Sequence, residues 1–288
     1  MEFLENDFIK ISIHPKGAEL TNFIEKTSGT EYIWDGNPAF WAKHSPILFP
    51  IVGALKDETY LYKGTKYKLG RHGFARDMVF EVSERKNSSI TFSLKSSKET
   101  LEKFPFEFEL QIEYRLEEKS LLVSYKVVNT SNEAMYFSIG GHPAFKLPIT
   151  VDTEYNDYYI EFEKEETAGR WPISNEGLID AASIPLLNGK KLPLTKALFQ
   201  KDALVFKHLQ STSLKLKSDK TKEGFQFEFK EFPYLGIWAA KNANFICIEP
   251  WCGIADNIDS TQIFTEKEGI NKLASNESFE RNWSISLF

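Results

Sequence analysis

One histidine of the chain is held by backbone features that favour a functional role. His142 follows Gly140-Gly141 and directly precedes Pro143. The two glycines permit a close backbone approach or a positive φ, and the proline fixes φ immediately after the histidine. This context predicts an imidazole presented at a site. The alternative is a buried histidine that hydrogen-bonds only to backbone.

A glutamate near the carboxyl end has an equally unusual context. Glu249 ends the apolar run Phe245-Ile246-Cys247-Ile248 and precedes Pro250-Trp251. A carboxylate without a neighbouring cation is seldom buried, and burial would raise its pKa towards the range of a base that works near neutral pH. The alternative is a buried ion pair with an arginine. Glu249 and His142 together would supply an acid and a base.

A second histidine, His72, lies in the segment Arg71-His72-Gly73-Phe74-Ala75-Arg76. It would add a further imidazole and at least one guanidinium to the same pocket, or it belongs to a structural loop. Asp202 precedes the apolar stretch 203–206 and could reach into a site from a strand start, although aspartate is also common in turns. His14 and His208 are expected to be solvated, and His44 is intermediate.

Several other chemistries lack the residue spacing that they require. We find no G-x-S-x-G elbow and no glycine-rich phosphate loop. Two histidines and a glutamate could form a facial metal site. However, H-x-H and H-E-x-x-H spacings are missing and arginines flank His72, so the sequence predicts no metal site. A second acid of the kind that glycoside hydrolysis needs does not stand out.

Composition favours an ordinary globular protein that is mostly β. The chain has 288 residues, a net charge of −6, and 24 Phe, 11 Tyr and 6 Trp. Aromatic residues favour strands, and the acidic balance argues against a nucleic-acid or anionic membrane surface. The acidic start is unlike a secretory signal, no run reaches the ~20 apolar residues of a membrane helix, and Cys247 and Cys252 are too few for a disulfide framework. We therefore expect a cytoplasmic protein with free thiols.

Short strands separated by turns predict an all-β fold. The strongest pattern is residues 106–116, where apolar and polar side chains alternate as in a strand with one buried face. Hairpins are predicted at residues 8–24 and 59–69, and residues 98–103 are the one helical stretch. Residues 44–53 are apolar but interrupted by prolines, which indicates an irregular buried segment beside a pocket. Residues 149–198 look like a polar, loop-rich excursion. The whole, residues 1–288, is predicted to be a single domain with a large antiparallel β-sandwich.

The motifs at residues 141–145, 71–76 and 249–251, together with residues 47–53, resemble those of the aldose 1-epimerase (galactose mutarotase) family. The likeness is strongest to its bacterial branch associated with lactose operons, and it extends from about Glu5 to the end of the chain. The resemblance implies a β-supersandwich, no cofactor, a small-molecule sugar as the substrate, and interconversion of the α and β anomers of a free hexose.

The resemblance also implies a role for each matching residue. His142 would protonate the ring oxygen of the sugar, and Glu249 would take the proton of the anomeric hydroxyl. His72 and Arg71 would bind sugar oxygens, and Asp202 is a weaker match to a hydroxyl-binding aspartate.

One position departs from the family pattern. Relatives commonly continue Phe-Pro-x-x-Gly-Arg, whereas this chain reads Phe49-Pro50-Ile51-Val52-Gly53-Ala54 and lacks that sugar-binding arginine. Lys56 and Arg71 are the candidates to replace it. Two alternatives therefore stay open: a hexose-6-phosphate 1-epimerase, with basic residues facing the phosphate, and a non-catalytic carbohydrate-binding or regulatory protein on the same fold.

Overall fold

The computed structural model describes residues 1–180 and 182–288, and β-strands dominate it. The strands, in chain order, are β1 (Glu2–Glu5), β2 (Ile9–His14), β3 (Glu19–Glu25), β4 (Ile47–Leu48), β5 (Thr59–Tyr62), β6 (Thr65–Lys68), β7 (Glu81–Arg85), β8 (Ser89–Lys95), β9 (Phe108–Glu117), β10 (Ser120–Asn129), β11 (Met135–Phe137), β12 (Ile139–Gly141), β13 (Ala144–Lys146), β14 (Tyr158–Glu166), β15 (Gly169–Arg170), β16 (Ile184–Pro185), β17 (Gly189–Pro193), β18 (Leu204–Lys207), β19 (Ser213–Ser218), β20 (Phe225–Glu228), β21 (Tyr234–Trp238), β22 (Phe245–Cys252), β23 (Asn271–Leu273) and β24 (Ser278–Leu287).

Helical structure is confined to short segments in the described part of the chain. The α-helix α1 (Lys98–Lys103) is capped by Ser97, whose side chain and that of Thr100 form a capping box. Single 3₁₀ turns occupy Lys56–Glu58, Ala75–Asp77, Tyr155–Asp157, Lys196–Phe199 and Phe264–Glu266. No helix within residues 1–180 and 182–288 is long and apolar enough to cross a bilayer.

A nine-stranded antiparallel sheet forms one layer, in the order β17-β14-β19-β20-β24-β10-β9-β8-β7. Buried and half-buried residues alternate along β9 and β10, because successive side chains of a strand point to opposite faces. The buried face of β9 carries the apolar residues that the sequence pattern placed there. The all-β prediction is confirmed.

A second sheet supplies the strands that carry the site. Its order is β18-β21-β22-β12-β4, with β13 paired to β22. The two sheets pack through large aromatic side chains: the rings of Phe145 on β13 and Phe225 on β20 are 4.4 Å apart between centroids. A three-stranded sheet, β1-β2-β3, and the pairs β5-β6, β11-β23 and β15-β16 complete the described sheets.

Most of the predicted elements are present, and one expectation is wrong. Both hairpins and the helix at residues 98–103 form, and Ile47 to Leu55 is buried, as the prolines indicated. Residues 149–198, however, are not only loops, because β14 lies between β17 and β19 inside the large sheet. The sequence pattern did not reveal the buried start of β14, because the second half of this strand contains the polar, exposed residues 163–165.

Candidate functional site

A cavity of about 440 Å³ lies beside the six-stranded sheet and collects the residues that the sequence singled out. Its walls come from segments far apart in the chain: the loop 71–76, the end of β12, the turn before β18, the end of β21, and β22. The side chains of Arg71, His72, His142, Asp202 and Glu249 all line it. The three motif segments therefore meet, as the sequence analysis expected.

Two glycines set the position of His142, for a reason that the sequence did not reveal. A Cβ on Gly140 would lie 2.6 Å from the Trp251 ring, and a Cβ on Gly141 would lie 2.6 Å from the Tyr125 hydroxyl and 3.1 Å from Trp283 Nε1. Neither glycine has a positive φ. The glycines let β12 approach β22 on one side and the nine-stranded sheet on the other, so they serve protein packing and not close contact with a ligand.

His142 and Glu249 are in direct contact. His142 Nε2 lies 3.2 Å from Glu249 Oε2, and the two residues are only 8% and 2% exposed. Strand β22 is buried along its whole length, and Glu249 pairs in register with Gly236 of β21. An acid–base pair at this distance can exchange a proton without an intervening water.

Burial shifts the pKa values of this pair in opposite directions. Loss of solvent raises the pKa of Glu249 well above 4.5; Arg71 opposes that rise and Asp202 adds to it. Loss of solvent also lowers the pKa of His142 to about 3, and the charges of Arg76 and Arg71 act in the same direction. Both shifts favour the uncharged forms. Burial therefore favours the form of the pair in which the carboxyl group of Glu249 is protonated and His142 is neutral.

His72 is held as a hydrogen-bond donor towards the cavity. The backbone N–H of Gly53 donates to the ring atom Nδ1 of His72 at 3.1 Å, and the backbone N–H of His72 donates to Gly53 O at 2.9 Å. A ring nitrogen that accepts a hydrogen bond carries no proton, so the neutral imidazole has its proton on Nε2. Burial, with charge repulsion from His142 and Arg71, lowers the pKa of His72 well below 6.5. His72 is thus suited to donate to a ligand oxygen.

The two arginines of the 71–76 segment differ in exposure and in their contacts. Arg71 is half-exposed, and its Nη2 lies 3.7 Å from Asp202 Oδ2. Arg76 donates from Nη2 to Arg71 O at 2.9 Å and has Asp77 3.7 Å from its Nε. Arg71 therefore faces the cavity with a carboxylate beside it, while Arg76 supports the backbone of Arg71.

Arg71 and Ala54 flank the same glycine. A Cβ added to Gly177 would lie 3.3 Å from both Ala54 Cβ and Arg71 Cζ. Lys56, the other candidate replacement, is not among the cavity residues.

Several cavity residues were not singled out by the sequence. Trp41 stacks on the His142 ring at 4.9 Å between centroids, and Trp238 meets the same ring edge-on at 5.7 Å. Two exposed lysines, Lys201 and Lys241, lie at the rim. Trp41 lies in a short turn, in which its backbone N–H donates to Asn37 O at 2.9 Å. No local pattern relates these residues to the motifs.

The remaining histidines are away from the cavity. His14 and His208 are exposed, as expected. His44 is half-buried, with its Nδ1 3.9 Å from Glu19, and does not line the cavity.

One group of side chains could hold a metal ion, although it differs from the set considered from sequence. Donor atoms of His142, Cys247 and Glu249 lie within 4.8 Å of one another. Both Cys247 and Cys252 are free and buried. Burial and the neighbouring Glu249 raise the pKa of Cys247 well above 9, which disfavours the thiolate that a metal would need.

Comparison with known proteins identifies the family. The chain is 32% identical to the plasmid-encoded protein LacX of Lactococcus lactis subsp. lactis over 294 aligned residues, covering 99% of this chain and 98% of LacX. The crystal structure of a galactose mutarotase related enzyme from Lactobacillus acidophilus superposes with a TM-score of 0.94 at 36% identity, covering 100% of this chain and 97% of that one. A galactose mutarotase-like protein from Lactobacillus casei gives a TM-score of 0.94 at 32% identity, with both chains fully covered. The model of the aldose 1-epimerase family matches residues 3–260, and the chain belongs to that family.

Proposed function

We propose that the protein is a cofactor-independent aldose 1-epimerase that interconverts the α and β anomers of a free hexose. The observation that carries this proposal is the 3.2 Å contact of His142 Nε2 with Glu249 Oε2 inside a cavity of sugar size. Mutarotation needs one proton delivered to the ring oxygen and one removed from the anomeric hydroxyl, and this pair offers one acid and one base.

In the proposed reaction, the imidazolium of His142 gives its proton to the ring oxygen O5 while the Glu249 carboxylate takes the proton of the O1 hydroxyl. The C1–O5 bond breaks, and C1 becomes an aldehyde carbon double-bonded to O1. Rotation about C1–C2 presents the other face of the aldehyde. The reverse transfers then close the ring, so the pair ends with the same single proton with which it began.

The uncharged pair that burial favours is one proton transfer away from this reactive form. Because burial favours neutral His142 and protonated Glu249, the proton must cross from Oε2 to Nε2 before His142 can act as the acid. Arg71 favours the carboxylate form of Glu249, which supports that transfer. A sugar that fills the cavity and hydrogen-bonds to the charged forms would complete it.

The other motif residues bind the sugar in this proposal. His72 donates from Nε2 to a sugar oxygen, since its Nδ1 is occupied by Gly53. Arg71 and Asp202 contact hydroxyls from the rim, with Arg71 supplying the guanidinium that is absent at Ala54.

Polarimetry of freshly dissolved α-glucose and α-galactose tests the proposal. The wild type should accelerate the approach to equilibrium rotation, and Glu249→Gln and His142→Asn should each slow it by ~10²-fold or more. His208→Asn, which changes an exposed histidine, is the matched control and should keep the wild-type rate. A wild-type rate in either site variant would contradict the assigned roles.

A second candidate substrate is a hexose 6-phosphate. Lys201 and Lys241 are exposed at the rim, and neither is paired with a carboxylate in the described part of the chain. They lie at the same end of the sheet, because β18 and β21 are antiparallel neighbours. A phosphate dianion is bound by such cations. A higher kcat/KM for α-glucose 6-phosphate than for α-glucose, reduced by salt and by Lys201→Gln or Lys241→Gln, would favour this substrate.

The same measurements address a non-catalytic role, for which Ala54 is the motivation. A protein that only binds sugar would show hexose binding by calorimetry while mutarotation stays at the rate of the buffer.

A further inference from the structure

We propose that Trp41 is a positioning residue for His142: its indole face fixes the plane of the imidazole beside Glu249 and stabilises the imidazolium that forms during catalysis. This inference rests on the proposed epimerase function and deepens it.

The ring geometry singles out Trp41 among the neighbours of His142. The rings of Trp41 and His142 are stacked, with centroids 4.9 Å apart and planes inclined by 27°. Trp238 and His72 meet the imidazole at 84° and 83°. An indole presents negative charge density at its face, so the stacked ring is the one that attracts a cationic imidazole.

Trp41 is itself held firmly by the fold. Trp34 Nε1 donates a hydrogen bond of 2.9 Å to Trp41 O. Phe245 on β22 stacks against Trp41 at 5.6 Å and contacts Trp34 at 4.8 Å. The indole thus packs against Phe245 at the start of β22, the strand that also carries Glu249. Trp41 and Glu249 are therefore positioned by the same strand.

The charges around His142 explain why such a residue is useful. Burial and the charges of Arg76 and Arg71 lower the pKa of His142, whereas the role as acid needs the protonated ring. In the described part of the chain, the titratable or charged groups around His142 are Glu249 and Cys247 of β22, His72, Arg71 and Arg76 of the 71–76 loop, Asp202 before β18, and Lys201 and Lys241 at the rim of the cavity. Among these, only Glu249 as a carboxylate lies against the ring and favours its cation. The π face of Trp41 adds a second favourable contact that carries no charge of its own.

Substitution at Trp41 separates this role from simple packing and from sugar binding. Trp41→Leu keeps an apolar side chain but removes the π face, and Trp41→Phe retains a face. We expect Trp41→Leu to lower kcat about tenfold with little change in KM, and Trp41→Phe to keep most of the activity. Trp171→Leu is the matched control, because Trp171 is a half-buried tryptophan that contacts Lys207 and does not line the cavity.

An NMR titration of the His142 ring gives a readout that does not depend on epimerase activity. In the wild type the ring protons should be shifted by the ring current of Trp41, and this shift should vanish in Trp41→Leu. Protonation of the ring on acidification should begin at lower pH in Trp41→Leu than in Trp41→Phe or the wild type.

Three results would overturn the inference. One is a higher KM with unchanged kcat in Trp41→Leu, which would make Trp41 a sugar platform. Another is an equal loss of kcat in Trp41→Phe and Trp41→Leu, which would indicate packing alone. The third is identical titration of His142 in all three proteins. An inactive wild type would refute the proposed function, and the titration would then decide whether Trp41 stabilises the imidazolium.

Discussion

Gly141→Ala should destabilise the protein because the residue before His142 lies against the opposite sheet. The added Cβ would lie 2.6 Å from the Tyr125 hydroxyl and 3.1 Å from Trp283 Nε1. Both atoms belong to a buried hydrogen bond, in which Trp283 Nε1 donates to the Tyr125 hydroxyl at 2.7 Å. The new methyl group must therefore push apart two strands of the nine-stranded sheet and β12, or break that bond.

The cost can be worked out from these contacts. Overpacking of a core costs ~1–3 kcal/mol, and disturbing the buried hydrogen bond adds ~1 kcal/mol. A loss of ~2–4 kcal/mol corresponds to a fall in Tm of about 3–7 °C, taking an unfolding entropy of ~2.1 cal/mol/K per residue for 288 residues. Because His142 follows directly, a displaced backbone should also lower kcat, by up to ~10²-fold for a shift near 1 Å.

Urea unfolding and calorimetry of Gly141→Ala, with Gly70→Ala as the control, measure this effect. A Cβ on Gly70 would meet nothing within 4 Å and its φ is not positive, so its stability should change by no more than about 0.5 kcal/mol. Gly141→Ala should cost less in a Tyr125→Phe background, since the nearest clashing atom is then removed. Equal stabilities of the two alanine variants, or an unchanged cost in the Tyr125→Phe background, would refute the close-packing argument.

Three further predictions concern the charges in and near the site. Arg71→Met should raise the pKa of Glu249, and Asp202→Asn should lower it. The alkaline limbs of the pH–rate profiles of these two variants should therefore move in opposite directions. Shifts in the same direction would contradict the assigned effects of Arg71 and Asp202. The raised pKa means that folded Glu249 holds a proton that the unfolded chain releases above pH 4.5, so its contribution to stability falls as pH rises. In urea unfolding, the stability of Glu249→Gln relative to that of the wild type should therefore rise from pH 4.5 towards neutral pH. A difference in stability that does not change with pH would contradict the raised pKa. Lys267→Met leaves Asp256 buried without its 2.9 Å partner and should cost ~3–5 kcal/mol, measured by the same unfolding; a loss under 1 kcal/mol would be unexpected.

The fold class was readable from the sequence because strand patterns are local. Residues 106–116 alternate along one strand, and β9 buries the predicted face. The 98–103 helix carries its capping residues within its own first turn. The prediction was wrong for β14, where the burial of Tyr158 to Ile160 depends on strands β17 and β19 contributed by later segments.

The sequence by itself singled out the groups that the proposed reaction uses, since His142, His72 and Glu249 each stand in a distinctive local context. Only the tertiary structure decided how they work together. The 3.2 Å contact joins residues 107 positions apart, and Trp41 reaches the same imidazole from a third segment. Burial then shifts the pKa values of both groups towards their uncharged forms. The physical reason is that distance, ring stacking and loss of solvent arise from the register of paired strands and the packing of two sheets, which no stretch of neighbouring residues encodes.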